Sequence, residues 1–189
     1  MLVIARHGRT LSNASGLLLG RADPELDDLG RRQADALGAA LGSVDLVVSS
    51  PLRRTRETAR SIDGPIRLDE RFLELDYGEW DQRPLSAVGA DEWAAWQADL
   101  DFAPPGGESL RQLGERVRSG LDDLVDAATA GTVVVVTHVS PVKAAVAWTL
   151  AVDDRVSWRM FVAPASITRI DLGRGRPSLH CFNDVSHLG

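Results

Sequence analysis

Cysteine is almost absent from the sequence, since Cys181 is the only one among 189 residues. A single thiol excludes an intramolecular disulfide and a zinc site built from cysteines. The sequence also lacks an apolar run near the roughly 18 residues of a membrane helix, and it shows no charged-then-apolar leader with a small-residue cleavage site. We therefore expect a cytoplasmic protein that has no membrane partner.

Basic residues are also fewer than acidic ones. The formal net charge is −6, and Lys143 is the only lysine. A surface that is negative on the whole repels nucleic acid, so we expect no nucleic-acid partner. An anionic ligand would have to be bound by a local cluster of arginines. The length and the 44% hydrophobic content fit one domain over residues 1–189 with a core of its own.

Apolar runs of strand length alternate with helical patterns along the chain. Strands are predicted at 2–5, 44–50, 132–138 and within 65–80, and helices at 29–41, 51–62, 85–100, 109–128 and 140–152. Residues 166–173 and 177–184 alternate in polarity around the glycine-rich 173–177, which predicts an antiparallel hairpin. The fold class is therefore α/β, a three-layer sandwich. It has a mainly parallel central sheet, helices on both faces and an antiparallel C-terminal portion.

Polar side chains of matching kind follow three of the predicted strands. Ligands collect at the carboxyl ends of parallel strands, so these side chains should meet there. Guanidinium groups suit phosphate oxygens, and imidazole can be a nucleophile, an acid or base, or a metal ligand. No carboxylate immediately adjoins the histidines, so metal binding stays an alternative with weak support. The residues at the three strand ends are Arg6 and His7, Ser50 with Arg53 and Arg54, and Thr137 and His138.

Each of these residues also has an ordinary structural interpretation. A histidine at a strand end is often a satisfied structural residue, and arginines at the start of a helix often only face solvent. Trp93 and Trp96 are interpreted as packing residues rather than as a platform for a ligand. The joint occurrence and order of the segments favour a functional site.

Six segments in order resemble the histidine phosphatase superfamily, in its phosphoglycerate-mutase-like branch. They are "RHGRTLSN", "LGRADPELDDLGRRQA", "SSPLRRTRETA", "FLELDYGEW", "PPGGESL" and "VVVVTH". Two positions depart from the family pattern. Arg9 stands where an acidic residue is usual, and Val139 replaces a glycine in "HVSP". Arg9 would add positive charge at the mouth of the site and favour a substrate with a second anionic group.

The resemblance implies a role for each motif residue. His7 would attack the phosphorus and form a phosphohistidine, and Glu74 would protonate the leaving group. Arg6, Arg54 and His138 would hold the phosphoryl oxygens. Further contacts to phosphate or substrate would come from Gly8, Thr10, Asn13 and the N–H of Val139.

The implied reaction is hydrolysis of a small phosphorylated metabolite, without metal or other cofactor. Phosphoglycerate mutase-type transfer and a non-catalytic phosphometabolite-binding module are the alternatives, with a phosphohistidine protein phosphatase as a further variant. Hydrolysis is favoured because mutases carry an insertion after the acid residue and a longer C-terminal tail, whereas "PPGGES" sits where phosphatases have it. The resemblance also implies a homo-oligomer, most simply a dimer. The identity of the metabolite stays open.

Overall fold

A six-stranded mixed sheet forms the centre of the computed structural model, which describes residues 1–173 and 175–189. The strands are β1 Leu2–Arg6, β2 Leu46–Ser49, β3 Ile66–Leu68, β4 Val133–Thr137, β5 Ile167–Asp171 and β6 Ser178–Asp184. Their spatial order is β3-β2-β4-β1-β5-β6. The first four strands are parallel, and β5 and β6 run antiparallel to their neighbours. The predicted α/β class, with its antiparallel C-terminal portion, is confirmed.

The helices are α1 Leu11–Ala14, α2 Asp28–Leu41, α3 Arg53–Ala59, α4 Ala90–Ala98, α5 Leu110–Asp122, α6 Val125–Ala130 and α7 Val139–Leu150. Short 3-10 turns cover Glu70–Phe72, Gly78–Trp80, Leu85–Ala87, Asp154–Arg159 and Ser186–Leu188. Three predicted helices had wrong bounds. The helix expected at 51–62 spans only Arg53–Ala59, so Pro51 precedes it. The helix expected at 85–100 begins at Ala90, because the Glu92 side chain accepts the Gly89 N–H at 3.1 Å and caps the helix there. The helix expected at 109–128 is divided near Leu124, whose N–H donates to the Leu121 carbonyl in a tighter i−3 bond of 2.9 Å.

Alternate residues of the central strands face two separate cores. Leu2 and Ile4 of β1 pack with the side of the sheet covered by α5 and α7. Val3 and Ala5 pack with the side covered by α2 and α3. This period of two explains why β1 and β4 consist almost entirely of apolar residues: both faces of the sheet are buried.

The predicted C-terminal hairpin corresponds to β5 and β6, which pair with register shifts near Arg169. The turn expected at 173–177 includes residue 174, which lies outside the described residues. None of the helices in the two described ranges is long and apolar enough to cross a membrane.

Strand order brings three carboxyl ends together in the middle of the sheet. β4 lies between β1 and β2, with Arg6 opposite Thr137 and Ser49 opposite Val136. The residues that immediately follow these pairs therefore emerge side by side at one edge.

Candidate active site

His7 follows β1, and both its backbone N–H and one nitrogen of its ring have backbone carbonyl partners. Its N–H donates to the Thr137 carbonyl at 2.9 Å, and its Nδ1 lies 2.7 Å from the Gly8 carbonyl. A carbonyl only accepts, so Nδ1 carries the proton and Nε2 keeps its lone pair. Burial lowers the pKa of His7 well below its usual range, and the charges of Arg54 and Arg6 lower it further. The ring is therefore neutral at pH 7.

His138 lies between β4 and α7. Its ring is edge-on to the ring of His7, and the two ring centroids are 5.1 Å apart. Its Nδ1 accepts the Nε–H of Arg54 at 3.1 Å, and its Nε2 lies 2.9 Å from Ser50 Oγ. Arginine has only donors, so the His138 proton is on Nε2 and is donated to Ser50. Burial, followed by the charge of Arg54, lowers the pKa of His138 as well.

Two arginines are buried beside the histidines. Arg54 is 0% exposed, and its terminal nitrogens donate to the carbonyls of Ala22 and Gly20, each at 2.8 Å. Arg6 donates to the Val162 carbonyl at 2.6 Å, and its Nε has no partner in the described part of the chain. Burial lowers the pKa of each guanidinium to about 10, so both remain charged at neutral pH. A guanidinium has five N–H donors, which leaves donors on both residues for an anion.

The carbonyls that orient Arg54 belong to a loop held by one carboxylate. Asp81 accepts the N–H groups of Gly20, Arg21 and Ala22 at 2.8, 3.0 and 2.8 Å. Charge-assisted bonds of this kind are stronger than neutral ones. Asp81 thereby fixes the position of Arg54 without touching it.

Glu74 faces the same edge from the irregular segment after β3. Its Oε1 accepts the N–H groups of Leu75 and Ser140 at 2.8 and 3.1 Å, and its Oε2 accepts that of Val139 at 3.0 Å. Val139 and Ser140 begin α7, where the helix dipole favours a negative group. A carboxylate has about four acceptor positions, so one position remains open, on Oε2.

The segment that carries Glu74 is held by Arg116 of α5. Arg116 donates to the carbonyls of Leu73 and Glu74 at 2.8 and 3.1 Å. It also forms a two-armed ion pair with Glu108, with N–O distances of 2.6 and 2.7 Å. Glu108 belongs to the "PPGGES" segment, so this motif positions Arg116, which in turn holds the backbone of the candidate acid, Glu74.

Several other motif residues have local partners of their own. Thr10 and Asn13 cap α1 through reciprocal bonds between their side chains and backbone N–H groups. The N–H of Val139, expected to be open to phosphate, donates to Glu74 instead. Arg9 forms a 2.8 Å ion pair with Asp27, which offsets its charge; that Arg9 favours a substrate with a second anionic group stays a prediction.

Gly8 is required by packing against a helix. A Cβ at Gly8 would lie 2.3 Å from the Gly30 carbonyl oxygen, and a Cβ at Gly30 would lie 2.0 Å from the Arg9 carbonyl oxygen. The Gly8 N–H donates to Thr58 Oγ1 at 3.0 Å. Gly8 thus lets the N-terminus of α2 approach the loop that carries His7.

A cavity of about 250 Å³, which the sequence did not reveal, is lined by Val139 and Ser140. The N–H groups of these two residues donate to Glu74, which places the cavity beside Glu74. Trp93 and Trp96, expected only to pack, both line it, although Trp96 is also a core residue at 4% exposure. The remaining walls include Leu18, Tyr77, Trp158 and Lys143. Ser50 was expected at the end of β2 and lies there, but its bond to His138 was not predicted.

The chain belongs to the histidine phosphatase superfamily (branch 1), whose family profile matches residues 2–185. It is 30% identical to phosphoserine phosphatase 1 of Hydrogenobacter thermophilus, over 100% of this chain and 94% of the relative. It is also 30% identical to a bifunctional protein of Mycobacterium tuberculosis, over 99% of this chain. The chain spans 54% of that relative's length, so it matches about half of the first curated relatives.

Among solved structures, the fold is similar to phosphoserine phosphatase of Entamoeba histolytica in complex with 3-phosphoglyceric acid. The TM-score is 0.91 at 27% identity, with 99% of this chain and 98% of that chain covered.

Proposed function

We propose that this protein is a phosphatase that hydrolyses a small phosphomonoester through a phosphohistidine on His7. The observation that carries the proposal is the bond from His7 Nδ1–H to the Gly8 carbonyl at 2.7 Å. It leaves the Nε2 lone pair as the nucleophile, beside two buried arginines that would hold an anion.

In the first step, His7 Nε2 forms a bond to phosphorus and the ester P–O bond breaks. Arg6 and Arg54 offset the negative charge on the phosphoryl oxygens. His138 adds a donor by turning its Nε2–H from Ser50 to a phosphoryl oxygen. Glu74 passes a proton from its Oε2 to the leaving oxygen. Oε2 is the atom involved because it has the one acceptor position of the carboxylate that no backbone N–H occupies.

In the second step, water attacks phosphorus and the P–N bond breaks. Glu74, now ionised, takes the proton from this water and is ready for another cycle. The arginines supply the positive charge that a metal would otherwise provide, so the proposal includes no metal. Gly8, Thr10, Asn13 and Val139 act by shaping the loop and helix ends that hold the reacting groups.

The names of the relatives support hydrolysis of a small substrate. Besides the phosphoserine phosphatase, a glucosyl-3-phosphoglycerate phosphatase of Mycobacterium tuberculosis is 37% identical over 66% of this chain. The chain is also 30% identical, over 98% of its length, to a probable phosphoglycerate mutase of Erwinia tasmaniensis. Phosphoryl transfer between hydroxyls is therefore the second candidate function.

Phosphate release from phosphoserine, 3-phosphoglycerate and p-nitrophenyl phosphate tests the proposal. We expect release by the wild type and its loss in His7→Ala. The control is His180→Ala, whose histidine side chain is 51% exposed on β6 and should not matter. Radioactive substrate should label the wild type with phosphate that is labile in acid and stable in base.

Three outcomes would contradict the proposal. Full activity in His7→Ala would exclude a phosphohistidine intermediate on His7. Interconversion of phosphoglycerates without phosphate release would identify the protein as a mutase. Tight binding of these esters without any turnover would indicate a phosphometabolite-binding module.

A further inference from the structure

We propose that the cavity beside Glu74 binds the leaving group of the substrate, and that Lys143 selects a leaving group that bears a carboxylate. This inference rests on the proposed function. It defines the substrate class as a phosphomonoester with a small, apolar and preferably planar body and one carboxylate.

The position of the cavity links it to the leaving group. Its wall includes Val139 and Ser140, whose N–H groups hold the two oxygens of Glu74. Glu74 is the group that would protonate the departing oxygen, so whatever departs must lie on this side of the site. The cavity is therefore the space next to the broken P–O bond.

Four aromatic and four aliphatic side chains form most of the cavity walls. Trp96 is the centre of the cluster, with ring-centroid distances of 5.3 Å to Trp93, 4.9 Å to Trp158 and 5.9 Å to Tyr77, all nearly edge-on. Aromatic walls favour apolar and planar groups. The volume of about 250 Å³ is below the range of about 300–1,000 Å³ that is usual for small-molecule sites, which restricts the leaving group to a small one.

Lys143 is the one charged side chain among the residues that line this cavity. It lies four residues after Val139 on α7, on the same side of the helix. Its ammonium has no hydrogen bond or ion pair with any residue in the described ranges, whereas Arg116 and Arg118 of α5, which packs on α7, are paired with carboxylates. Burial lowers the pKa of Lys143, the charge of Glu74 opposes this in part, and the charge of Arg6 adds to it, so burial of the ammonium carries a net cost. An anion bound in the cavity would offset that cost.

Two further donors are unsatisfied in the same walls. The indole N–H groups of Trp96 and Trp158 are buried and have no partner among the described residues. An indole N–H can only donate. Both N–H groups are fully buried, so these rings present apolar surface rather than hydrogen-bond donors to the cavity.

The experiment compares pairs of esters that differ in one anionic group. Phenyl phosphate, 4-carboxyphenyl phosphate and phenyl 1,4-bisphosphate are assayed with the wild type, Lys143→Met and Lys143→Arg. The readout is the ratio of kcat/KM for the carboxylated ester to that for phenyl phosphate. Differences in leaving-group acidity cancel, because each ratio is compared between variants. Arg31→Met, which removes one charge from the exposed side of α2, is the control.

We expect the wild-type ratio to fall roughly 10- to 100-fold in Lys143→Met, the range for loss of a hydrogen bond to a charged group. The loss should be mainly in KM. Lys143→Arg should restore much of the ratio, and Arg31→Met should leave it unchanged. A ratio that is the same in the wild type and Lys143→Met would overturn the inference, as would a wild type that prefers the bisphosphate to the carboxylate.

A binding measurement separates this inference from the proposed function. Tryptophan fluorescence gives the Kd of each ester whether or not it is hydrolysed, since three tryptophans line the cavity. If no ester is hydrolysed, the proposed function fails. The Kd ratio between the carboxylated and uncharged esters, in the wild type and in Lys143→Met, then still decides the role of Lys143.

Discussion

Replacing Glu74 by Gln separates the two tasks of this side chain, which are to accept backbone N–H groups and to transfer a proton. The Gln carbonyl can take the place of Oε1 and accept from Leu75 and Ser140. Its NH2 group then stands opposite the Val139 N–H, where Oε2 accepts at 3.0 Å. The variant thus keeps two of the three bonds and loses the proton carrier.

The magnitude follows from these bonds. One buried N–H without a partner costs about 1–3 kcal/mol, so Glu74→Gln should lower the free energy of unfolding by that amount. Glu74→Ala would strand all three N–H groups, at about 3–9 kcal/mol, a large share of the roughly 5–15 kcal/mol that folds a typical domain. Glutamine is therefore the informative substitution, since the protein should remain folded.

The kinetic signature depends on the leaving group. Loss of a general acid costs about 10²- to 10⁴-fold, so hydrolysis of phosphoserine by Glu74→Gln should fall by that factor. Nitrophenolate leaves without a proton, so p-nitrophenyl phosphate should still phosphorylate His7. Without the base that activates water, the phosphohistidine should persist. Stopped-flow absorbance should then show a burst of about one nitrophenolate per active site, followed by slow turnover.

Two results would refute this reasoning. One is an equal loss of rate for both esters with no burst, which would mean that Glu74 only shapes the site. The other is a loss of activity that follows the loss of folded protein in urea. Glu79→Gln, at an exposed glutamate in the same segment, is the matched control and should keep full activity toward both esters.

Three other predictions follow from the buried charges. The pKa values of His7 and His138 are lowered in the folded state. Below about pH 6.5, therefore, only the unfolded chain binds a proton on each of these imidazoles. As the pH falls, the free energy of unfolding should drop by up to about 1.4 kcal/mol per histidine per pH unit. Urea titrations between pH 7.5 and 5 measure this slope, and a His7→Asn variant with an unchanged slope would contradict it. Phosphate release should be unaffected by EDTA, and a loss restored by a divalent cation would contradict the metal-free mechanism. Asp81→Asn should lower kcat/KM about tenfold by loosening the loop that orients Arg54. It should also lower the free energy of unfolding by about 1–3 kcal/mol, because at least one loop N–H loses its acceptor. Unchanged kinetics would show that Arg54 is fixed without Asp81.

The position of the site could be predicted from the sequence because it depends on strand ends. The runs before Arg6 and Thr137 are too apolar and too short for anything but strands buried on both faces. Parallel strands then necessarily place His7 and His138 at one edge. The same logic located Arg54, which follows β2 after a proline turn.

The partners of individual atoms could not be predicted, because they come from residues far away in the chain. Glu74 and Val139 are 65 residues apart, and no local pattern indicates that the N–H of one is used by the other. Gly8 shows the same limit: a glycine beside a catalytic histidine suggests a close approach of phosphate, yet the close approach in the structure is that of Gly30. The cavity was missed for a related reason, since its tryptophans come from α4 and from the 3-10 turn after α7.

Three carboxylates near the site illustrate how identical groups acquire different roles. Asp81 is occupied by three backbone N–H groups of one loop. Glu108 is occupied by the guanidinium of Arg116. Glu74 also accepts three N–H groups, but it forms no ion pair with the described residues, and Oε2 retains an open acceptor position. Arg116 binds the backbone carbonyl of Glu74 instead of its carboxylate, and so fixes the candidate acid in place while leaving the open acceptor position on Oε2 unoccupied by any described residue.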